Sequence, residues 1–436
     1  RGAMLSVPYS RPQPQSDPIK KVPIYMTLLL GDLIPLPDIE AREQEMLRAV
    51  DEVMLTLASG TAARDLQGRY PHEAISVLAE TGVFRTGLVG EKESGIPPYS
   101  QRFSLEAQLR IAAVDSSIAQ IFKVHDELLR EMTEYGCTGQ IDRLRGLVFE
   151  EQAVIGLAVA EAGRTAAEPM QTLCQRVDDD TFELNGQKIY TTGAAGGDYI
   201  AVWGINPEEF REEDPVRGLQ LALLPRQHAG IHIHEDWDVL GQRATDSGTV
   251  TFNKVTFPEA WLASMPGRAP RPEASLRYQA GFAAIMVGLG IGALNTAAPF
   301  VMQKSRVWVT ANVANAGDDM NVQRKLGALA SNLVAGYHSV MSTARLFDQF
   351  ASGAITRGDL ALPVSAAKIA AQNAGLEACS EIFGTMGTRS VNKKYPHDVF
   401  WRNCRTISLH DPIDYKCIEL GKNLLHGEHP EPGVYQ

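Results

Sequence analysis

The residues that most clearly could do acid–base chemistry lie near the carboxyl end, in the run His410-Asp411-Pro412. A histidine titrates near neutral pH, so its imidazole can give a proton to one reacting group or take one from another. A neighbouring carboxylate can fix the tautomer of that imidazole. The same run is also typical of a helix start, in which Asp411 caps the first turn and His410 is packed. We favour the catalytic interpretation of the pair, and the proton that His410 moves stays open.

Four other polar residues are candidates for contacts with a substrate or a cofactor. His125 lies on a predicted helix that faces a pocket only by resemblance to a known family, and a single helical histidine is more often a satisfied structural residue. Arg306 and the pair Arg389-Ser390 could contact a phosphate, because a guanidinium presents a fork of donors to phosphate oxygens. Simple exposure to solvent is the alternative for both arginines.

Three runs imitate known motifs without their usual context. The glycine run at 288–292 lies inside an apolar predicted helix and follows no strand, so it indicates helix packing and not a dinucleotide loop. The run at 365–368 has the spacing of an acyl-serine motif but lacks its companion motifs. His232 and His234 share a strand face, but no third metal ligand stands out, so we predict no metal site.

Composition and charge narrow the possible partners. The chain has 436 residues and a formal net charge of −11, which argues against binding nucleic acid or an anionic membrane. Its five cysteines are widely spaced and contain no CxxC pair, which is typical of a protein of the reducing cytoplasm. The apolar stretch at 24–36 is shorter than the roughly 20 residues of a membrane span, so no signal peptide or spanning helix is predicted. Small-molecule partners fit best.

Hydrophobic periodicity divides the chain into an arm and three parts. Residues 1–36 contain a remnant of cloning before Met4 and a proline-rich extended arm, which could wrap a neighbouring molecule. Residues 37–150 are predicted to be a helical domain, with helices at 37–65, 72–80, 104–114, 116–135 and 140–150.

The rest of the chain changes from strands to helices. Residues 151–265 are predicted to form a small antiparallel β domain. Its strands are expected at 182–184, 188–190, 199–203, 220–224, 231–234 and 249–252. Asn185-Gly186, Gly196-Gly197 and the turn at 246–248 are expected to close hairpins. Residues 266–436 are predicted to form a helical bundle and tail, with four long helices at 277–309, 321–351, 363–386 and 401–425.

Two ordered segments of the β region resemble the acyl-CoA dehydrogenase family. The run from Leu184 to Ala194, through Tyr190, Thr191, Thr192 and Gly193, is similar to that family's "LNGxKxWITNG" strand beside the flavin. Residues 240–258 are similar to its "LGxRxxxSxxVxFxxVxVP" run. The resemblance covers residues 39–435. It implies the acyl-CoA dehydrogenase fold: mainly α, with an N-terminal helical domain, a central antiparallel β-barrel or sandwich and a C-terminal four-helix bundle.

The resemblance also assigns residues to a flavin site. It places Tyr190 to Gly193 against the ring, and an aromatic strand residue suits such a contact. Ala160 and Glu161 occupy the segment that normally reads "TEPxxGSD", which is altered here to the run at 158–165. Arg306 follows a helix position at which the family has a flavin-contacting arginine, often from across a subunit boundary. Arg389 and Ser390 are the further candidates for the flavin phosphate.

The carboxyl-terminal segment departs from the dehydrogenase pattern. A dehydrogenase of thioesters needs a carboxylate base, usually a late glutamate, and residues 402–416 contain none. His410-Asp411-Pro412, with the tail at 427–435, resembles the flavin-dependent monooxygenase branch typified by the dibenzothiophene monooxygenases. That branch implies reduced FMN or FAD from a separate flavin reductase, delivered by transient contact or by diffusion. In that branch the reduced flavin reacts with O2 to form a C4a-hydroperoxide, which oxygenates a sulfur, nitrogen or aromatic carbon atom of the substrate.

The resemblance further implies a cytoplasmic homotetramer, and the altered flavin segment favours FMN over FAD. Two other functions remain open at this stage. One is an acyl-CoA dehydrogenase or oxidase whose catalytic base has been displaced. The other is a non-catalytic protein that keeps the flavin fold for binding. The substrate, and the atom that is oxygenated, are not fixed by the sequence.

Overall fold

The computed structural model describes residues 30–88, 98–163, 168, 170–264, 267 and 270–433. The predicted arm at 8–23 lies outside these residues. The amino-terminal part is helical. Its helices are α1 (Ala41–Leu57), α2 (Thr61–Gln67), α3 (His72–Ala79), α4 (Gln101–Ala112), α5 (Ser116–Tyr135) and α6 (Thr138–Arg145). The single helix expected at 37–65 is divided, because a 3-10 turn over Ala58–Gly60 separates α1 from α2.

The described residues of the central part form a seven-stranded sheet. Its strands are β1 (Ile155–Ala158), β2 (Leu173–Arg176), β3 (Thr181–Lys188), β4 (Tyr199–Ile205), β5 (Leu219–Pro225), β6 (Ile231–Ile233) and β7 (Val250–Pro258). The order is β1-β4-β2-β3-β7-β6, and β5 pairs with β4. The expected all-antiparallel pattern is wrong at β4, which pairs parallel to β1 and β2. Sequence patterning had missed β1 and β2.

Asn185-Gly186 does not close a hairpin. The two residues lie inside the continuous strand β3, where the register with β7 shifts between Leu184 and Gly186. Gly186 has a φ of 155°, and a Cβ there would collide with Thr172, so a glycine is required. The residues that predicted a turn therefore form a β-bulge. The bulge increases the twist of β3 and changes the direction of the chain that leads to Tyr190.

The carboxyl-terminal part consists of five helices. They are α7 (Ala274–Lys304), α8 (Met320–Ala351), α9 (Arg357–Met386), α10 (Asp398–Ser408) and α11 (Ile413–His426). The helix α7 is long and apolar enough to cross a membrane by length and composition, but most of it is buried inside the protein. Its glycines at 288–292 let it approach α4, because a Cβ on Gly288 or Gly292 would strike backbone atoms of that helix or of the residue after it. This agrees with their interpretation as packing residues.

One hydrophobic core joins the amino-terminal helices to the carboxyl-terminal bundle, and two smaller clusters line the sheet. The helix expected at 401–425 is two helices, α10 and α11. Their break falls at residues 409–412, which include His410 and Asp411. The change from helix to sheet lies between Glu150 and Ile155, and the change back between Pro258 and Ala274. The domain limits at 150 and 265 stay a prediction.

Candidate active site

The break between α10 and α11 places a histidine and a carboxylate side by side. The α11 N-cap is Pro412, and no side chain caps this helix. Asp411 therefore does not have the capping role that was the alternative interpretation of the run. The Asp411 side chain is buried, whereas 40% of the His410 side chain is exposed. The imidazole is thus available at a surface while its neighbour anchors the chain.

Asp411 is held by a lysine from another helix. Lys368 of α9 is fully buried, and its Nζ donates to Asp411 Oδ1 at 2.6 Å and to Gln279 Oε1 at 2.5 Å. Lys416 Nζ lies 3.7 Å from Asp411 Oδ2. Burial alone would raise the pKa of Asp411, but His410, Lys368 and Lys416 together hold that pKa well below its usual range. Asp411 is therefore ionised throughout the physiological range.

His410 rests on an aromatic ring of α7. Its ring centre lies 4.2 Å from that of Phe282, and its Nδ1 lies 3.7 Å from Asp411 Oδ1. Burial lowers the pKa of His410, and the positive charges of Lys368 and Lys123 lower it further against the opposing effect of Asp411. The imidazole is consequently neutral near pH 7 and can accept a proton.

A second lysine reaches the same ring. Lys123 of α5 is fully buried, with its Nζ 3.9 Å from the centre of Phe282 and 4.2 Å from that of Tyr278. Among the described residues this Nζ makes no hydrogen bond. Burial lowers the pKa of Lys123 to about 7. The negative charges of Glu127 and Glu131 oppose this effect, and the two aromatic faces add cation–π contacts to the ammonium group.

Sequence reasoning had missed both lysines. Lys368 was considered only as the end of a serine motif, and Lys123 was not singled out. The available signal was a lysine at a core position of an apolar helix, as in the alanine-rich stretch around Lys368. Charged residues at such positions are rare unless they are paired.

The loop after β3 presents an aromatic side chain. Tyr190 has a φ of 55°, which is uncommon for a residue with a side chain, and 66% of it is exposed. Its ring meets the edge of Trp237 at a centroid distance of 6.0 Å. An exposed aromatic ring held in a strained backbone conformation suits contact with a flat ligand.

The residues after Tyr190 fasten this loop to the protein. The Thr191 hydroxyl donates to the carbonyl of Gly248 at 2.7 Å, and the Thr192 hydroxyl lies 2.9 Å from Ser247 Oγ. Gly193 has a φ of 78° and packs on Gly156. The threonine side chains therefore orient the loop, a role that the sequence did not separate from direct contact with a ligand.

A buried amide network ties this loop to α5 and α10. Gln120 Nε2 donates to Thr192 Oγ1 at 3.0 Å, and Gln242 Nε2 donates to Gln120 Oε1 at 2.7 Å. The Gln242 amide N–H donates to Asn403 Oδ1 at 2.7 Å, and Asn403 Nδ2 donates to Ser116 Oγ at 3.0 Å. Asn403 is on α10, the helix that ends beside His410, so the network links the two halves of the site. The matched run that contains Gln242 is the one sequence signal that points to this network.

Ala160 and Glu161 lie just after β1. The carbonyl of Ala160 accepts from the N–H of Ile189 at 2.9 Å. The Glu161 carboxylate accepts from Lys188 Nζ at 2.8 Å and from two backbone N–H groups. Burial would raise the pKa of Glu161, but these donors lower it to about 2. The carboxylate thus braces the strand that leads to Tyr190, and its contact with a ligand stays a prediction.

His125 is part of the interior. It is fully buried, its Nε2 lies 2.6 Å from the carbonyl of Phe84, and its Nδ1 accepts from the N–H of Ile155 at 3.0 Å. Burial lowers the pKa of His125 to about 4. With both ring nitrogens bound to backbone, His125 joins α5 to β1, and the expectation that it faces a pocket is corrected.

The two arginine candidates lie together at the end of α7. Arg306 follows this helix and is exposed, and Arg389 is exposed and donates to the carbonyl of Lys304 at 2.7 Å. Ser390 is buried and donates to the carbonyl of Gly387, so its hydroxyl is internal. An open groove of about 450 Å³ beside Arg389 also includes Lys394 and Tyr395. Its donors suit a phosphate.

Comparison with known proteins gives consistent results over most of the chain. Residues 156–255 match the model of the acyl-CoA dehydrogenase middle domain, and residues 280–415 match that of the C-terminal domain. A dibenzothiophene monooxygenase of Mycolicibacterium goodii is 31% identical, over 76% of this chain and 82% of that protein. A probable FMNH2-dependent monooxygenase of Pseudomonas putida, SfnC, is 30% identical, over 87% of this chain and 94% of that protein.

Solved structures show the same similarity. The FMN-bound TdsC of a Paenibacillus species superposes with a TM-score of 0.82 at 27% identity. The match covers 90% of this chain and all of that one.

Proposed function

The chain belongs to the flavin-dependent monooxygenases that have the acyl-CoA dehydrogenase fold, and we propose that its helix break at His410 handles the reacting proton. The protein is an oxidoreductase that uses reduced FMN from a flavin reductase, together with O2, to oxygenate a small molecule. The residues that carry out each part of this reaction are the subject of the proposal.

One observation separates this function from dehydrogenation of a thioester. The carboxylate beside His410 belongs to Asp411, which is buried, ionised and bound to Lys368 at 2.6 Å. A carboxylate in that state is a weak and inaccessible base. His410 is the exposed titratable group at the break, and a neutral imidazole is suited to exchange protons near pH 7.

The residues present fit FMN at both of its ends. The exposed ring of Tyr190 would lie against the isoalloxazine, held in place by Thr191, Thr192 and the glutamine network. Arg306 and Arg389 would bind the phosphate, because Arg389 lines the groove and Arg306 is exposed two residues after Lys304, whose carbonyl accepts from Arg389. Bound reduced FMN supplies the reaction with O2 that makes one oxygen atom transferable.

We further propose that the two ends of the FMN site come from different subunits of a cytoplasmic homotetramer. Tyr190 lies beside the sheet, whereas Arg306 and Arg389 lie at the end of α7 and α9. Large apolar side chains are exposed next to the arginines, at Trp308 and Val309. A contiguous exposed apolar patch is typical of a contact surface.

The substrate class that best fits is a small molecule with an electron-rich sulfur. The support is the similarity to a dibenzothiophene monooxygenase over more than four-fifths of that protein's length. A thioether has no acidic proton at the reacting atom, so the protein does not need the dehydrogenase carboxylate that this chain lacks.

The test supplies chemically reduced FMN and O2 to the purified protein with three probes: dibenzothiophene, a phenol and an aromatic amine. We expect the sulfoxide or sulfone of dibenzothiophene as the main product, identified by mass spectrometry. Free FMN without protein is the control for non-enzymatic oxidation. Products from the phenol or the amine alone would overturn the sulfur assignment and leave the monooxygenase function intact.

A further inference from the structure

Three buried lysines surround the break between α10 and α11. They are Lys123 of α5, Lys368 of α9 and Lys416 of α11, and each is at least 97% shielded from solvent. Removing an ammonium group from water is costly unless an opposite charge accompanies it. Only Asp411 provides that charge directly at the break among the described residues, and it faces both Lys368 and Lys416.

The other carboxylates near these lysines are shared with further cations. Two carboxylates, Glu127 and Glu131, lie one and two turns beyond Lys123 on α5. Both also face Arg277 of α7, and Arg277 Nε lies 3.6 Å from Glu127 Oε2. Burial raises the pKa of Glu131 to about 7. On the other side, Glu419 faces Lys416, and Arg357 adds a further positive charge there. The carboxylates beside Lys123 and Lys416 are therefore shared with arginines, and the positive charges that act on His410 are those of Lys368 and Lys123.

The distances bring two of these lysines close to the imidazole. Lys123 Nζ and the His410 ring both contact Phe282, which puts them at most about 8 Å apart. Lys368 Nζ and His410 Nδ1 both lie near Asp411 Oδ1, which puts them at most about 6 Å apart. At an effective dielectric constant near 20, a unit charge at such a distance shifts the pKa of a neighbour by about one unit or more.

We propose that Lys123 and Lys368 are positioning residues that keep the His410 imidazole in its neutral form during the reaction. This rests on the proposed function of His410 at the reacting centre. A cationic histidine there would supply a proton to the unproductive reaction. In that reaction, anionic reduced FMN, O2 and one proton give oxidised FMN and hydrogen peroxide. A neutral imidazole withholds that proton, so that the oxygen atom goes to the substrate.

The order of titration supports this arrangement. Lys123, with its pKa lowered to about 7, becomes charged as the pH falls before His410 takes up a proton, since the pKa of His410 is lowered from 6.5. A proton on Lys123 disfavours a proton on His410, because the two groups would then both carry positive charge. The lysine is charged over the pH range in which it must act.

The test measures the protonation of His410 directly, without flavin. Carbon-13-labelled histidine would be followed by NMR during a pH titration, and His410→Gln identifies the resonance of residue 410. We expect a wild-type midpoint below 6.5, and Lys123→Met should raise it by about one pH unit. Lys422→Met, which removes an exposed lysine of α11, is the matched control and should leave the midpoint unchanged.

A wild-type midpoint at or above 6.5 would overturn the proposal whatever the variants do. An unchanged midpoint in a folded Lys123→Met protein would do the same. Lys123→Gln carries the same expectation, and it serves if the methionine variant does not fold. With flavin, Lys123→Met should release more peroxide than wild type at pH 6 and approach wild type at pH 8. The NMR result is independent of turnover, so it separates a failure of this proposal from a failure of the catalytic role of His410.

Discussion

At the scale of single residues, His410 combines exposure, a neutral imidazole and a fixed neighbour. We predict that His410→Ala folds and still consumes reduced FMN, but releases mostly hydrogen peroxide. A positioned proton-transfer group is worth about a hundredfold or more in rate, so product formation should fall by about that factor. The measurement is the ratio of peroxide to oxygenated product.

His426→Ala is the matched control, because His426 ends α11 and is exposed. It should leave the ratio unchanged. His410→Ala could instead keep the wild-type ratio, lower the melting temperature and reduce the free energy of unfolding by about 1 kcal/mol. That result would mean that the histidine is a packing residue of the helix break.

Individual residues also show where sequence reasoning reaches its limit. The pair His410-Asp411 was recognisable because the two are adjacent and chemically distinctive. Lys368 was not, because the contact joins residues 43 positions apart on two helices. His125 and Glu161 were candidates by resemblance, and only their backbone partners reveal that both have structural roles.

At the scale of elements, the Lys368–Asp411 pair fastens α9 to the break before α11. We predict that Lys368→Met destabilises the protein by about 3 kcal/mol, because the buried Asp411 carboxylate loses its 2.6 Å partner and keeps only His410 and Lys416, each 3.7 Å away. Chemical denaturation at pH 7 measures the loss. The pKa of Asp411 is held low, so its contribution to stability is present above about pH 4 and is lost as the pH falls through the folded value.

The double variant Lys368→Met with Asp411→Asn is the control for this pair. It should recover part of the lost stability, because the unpaired charge has been removed. Losses that simply add would show that the two side chains act independently.

Element boundaries were predictable where hydrophobic periodicity was long, as for α5, which runs from Ser116 to Tyr135 as expected. They failed where a tertiary contact overrode a local signal. Asn185-Gly186 has the composition of a hairpin turn but is a bulge, since β3 continues its pairing with β7 beyond it. The split between α10 and α11 was absent from the helix limits expected at 401–425, although the run at 410–412 had been interpreted as a possible helix start.

At the scale of the whole molecule, the proposed tetramer makes flavin affinity depend on arginines that lie far from the ring site. We predict that Arg389→Gln weakens FMN binding by about tenfold, which corresponds to the loss of one charge-assisted hydrogen bond. Riboflavin, which lacks the phosphate, should bind wild type and variant alike. Fluorescence titration with both ligands measures the difference.

Lys254→Gln, a change of an exposed lysine in β7, is the control for net charge. An equal loss of riboflavin affinity in Arg389→Gln would mean that the arginine supports the fold of the groove and does not bind phosphate.

The central claim is that this chain transfers an oxygen atom from O2 by means of supplied reduced FMN. The most direct measurement is a single turnover in which the protein, reduced FMN and dibenzothiophene are mixed with oxygen-18 gas, with no reductase and no acyl-CoA. We predict that the product carries the heavy isotope from the gas. Product without the heavy isotope, or bleaching of oxidised flavin by an acyl-CoA in the absence of O2, would contradict the claim.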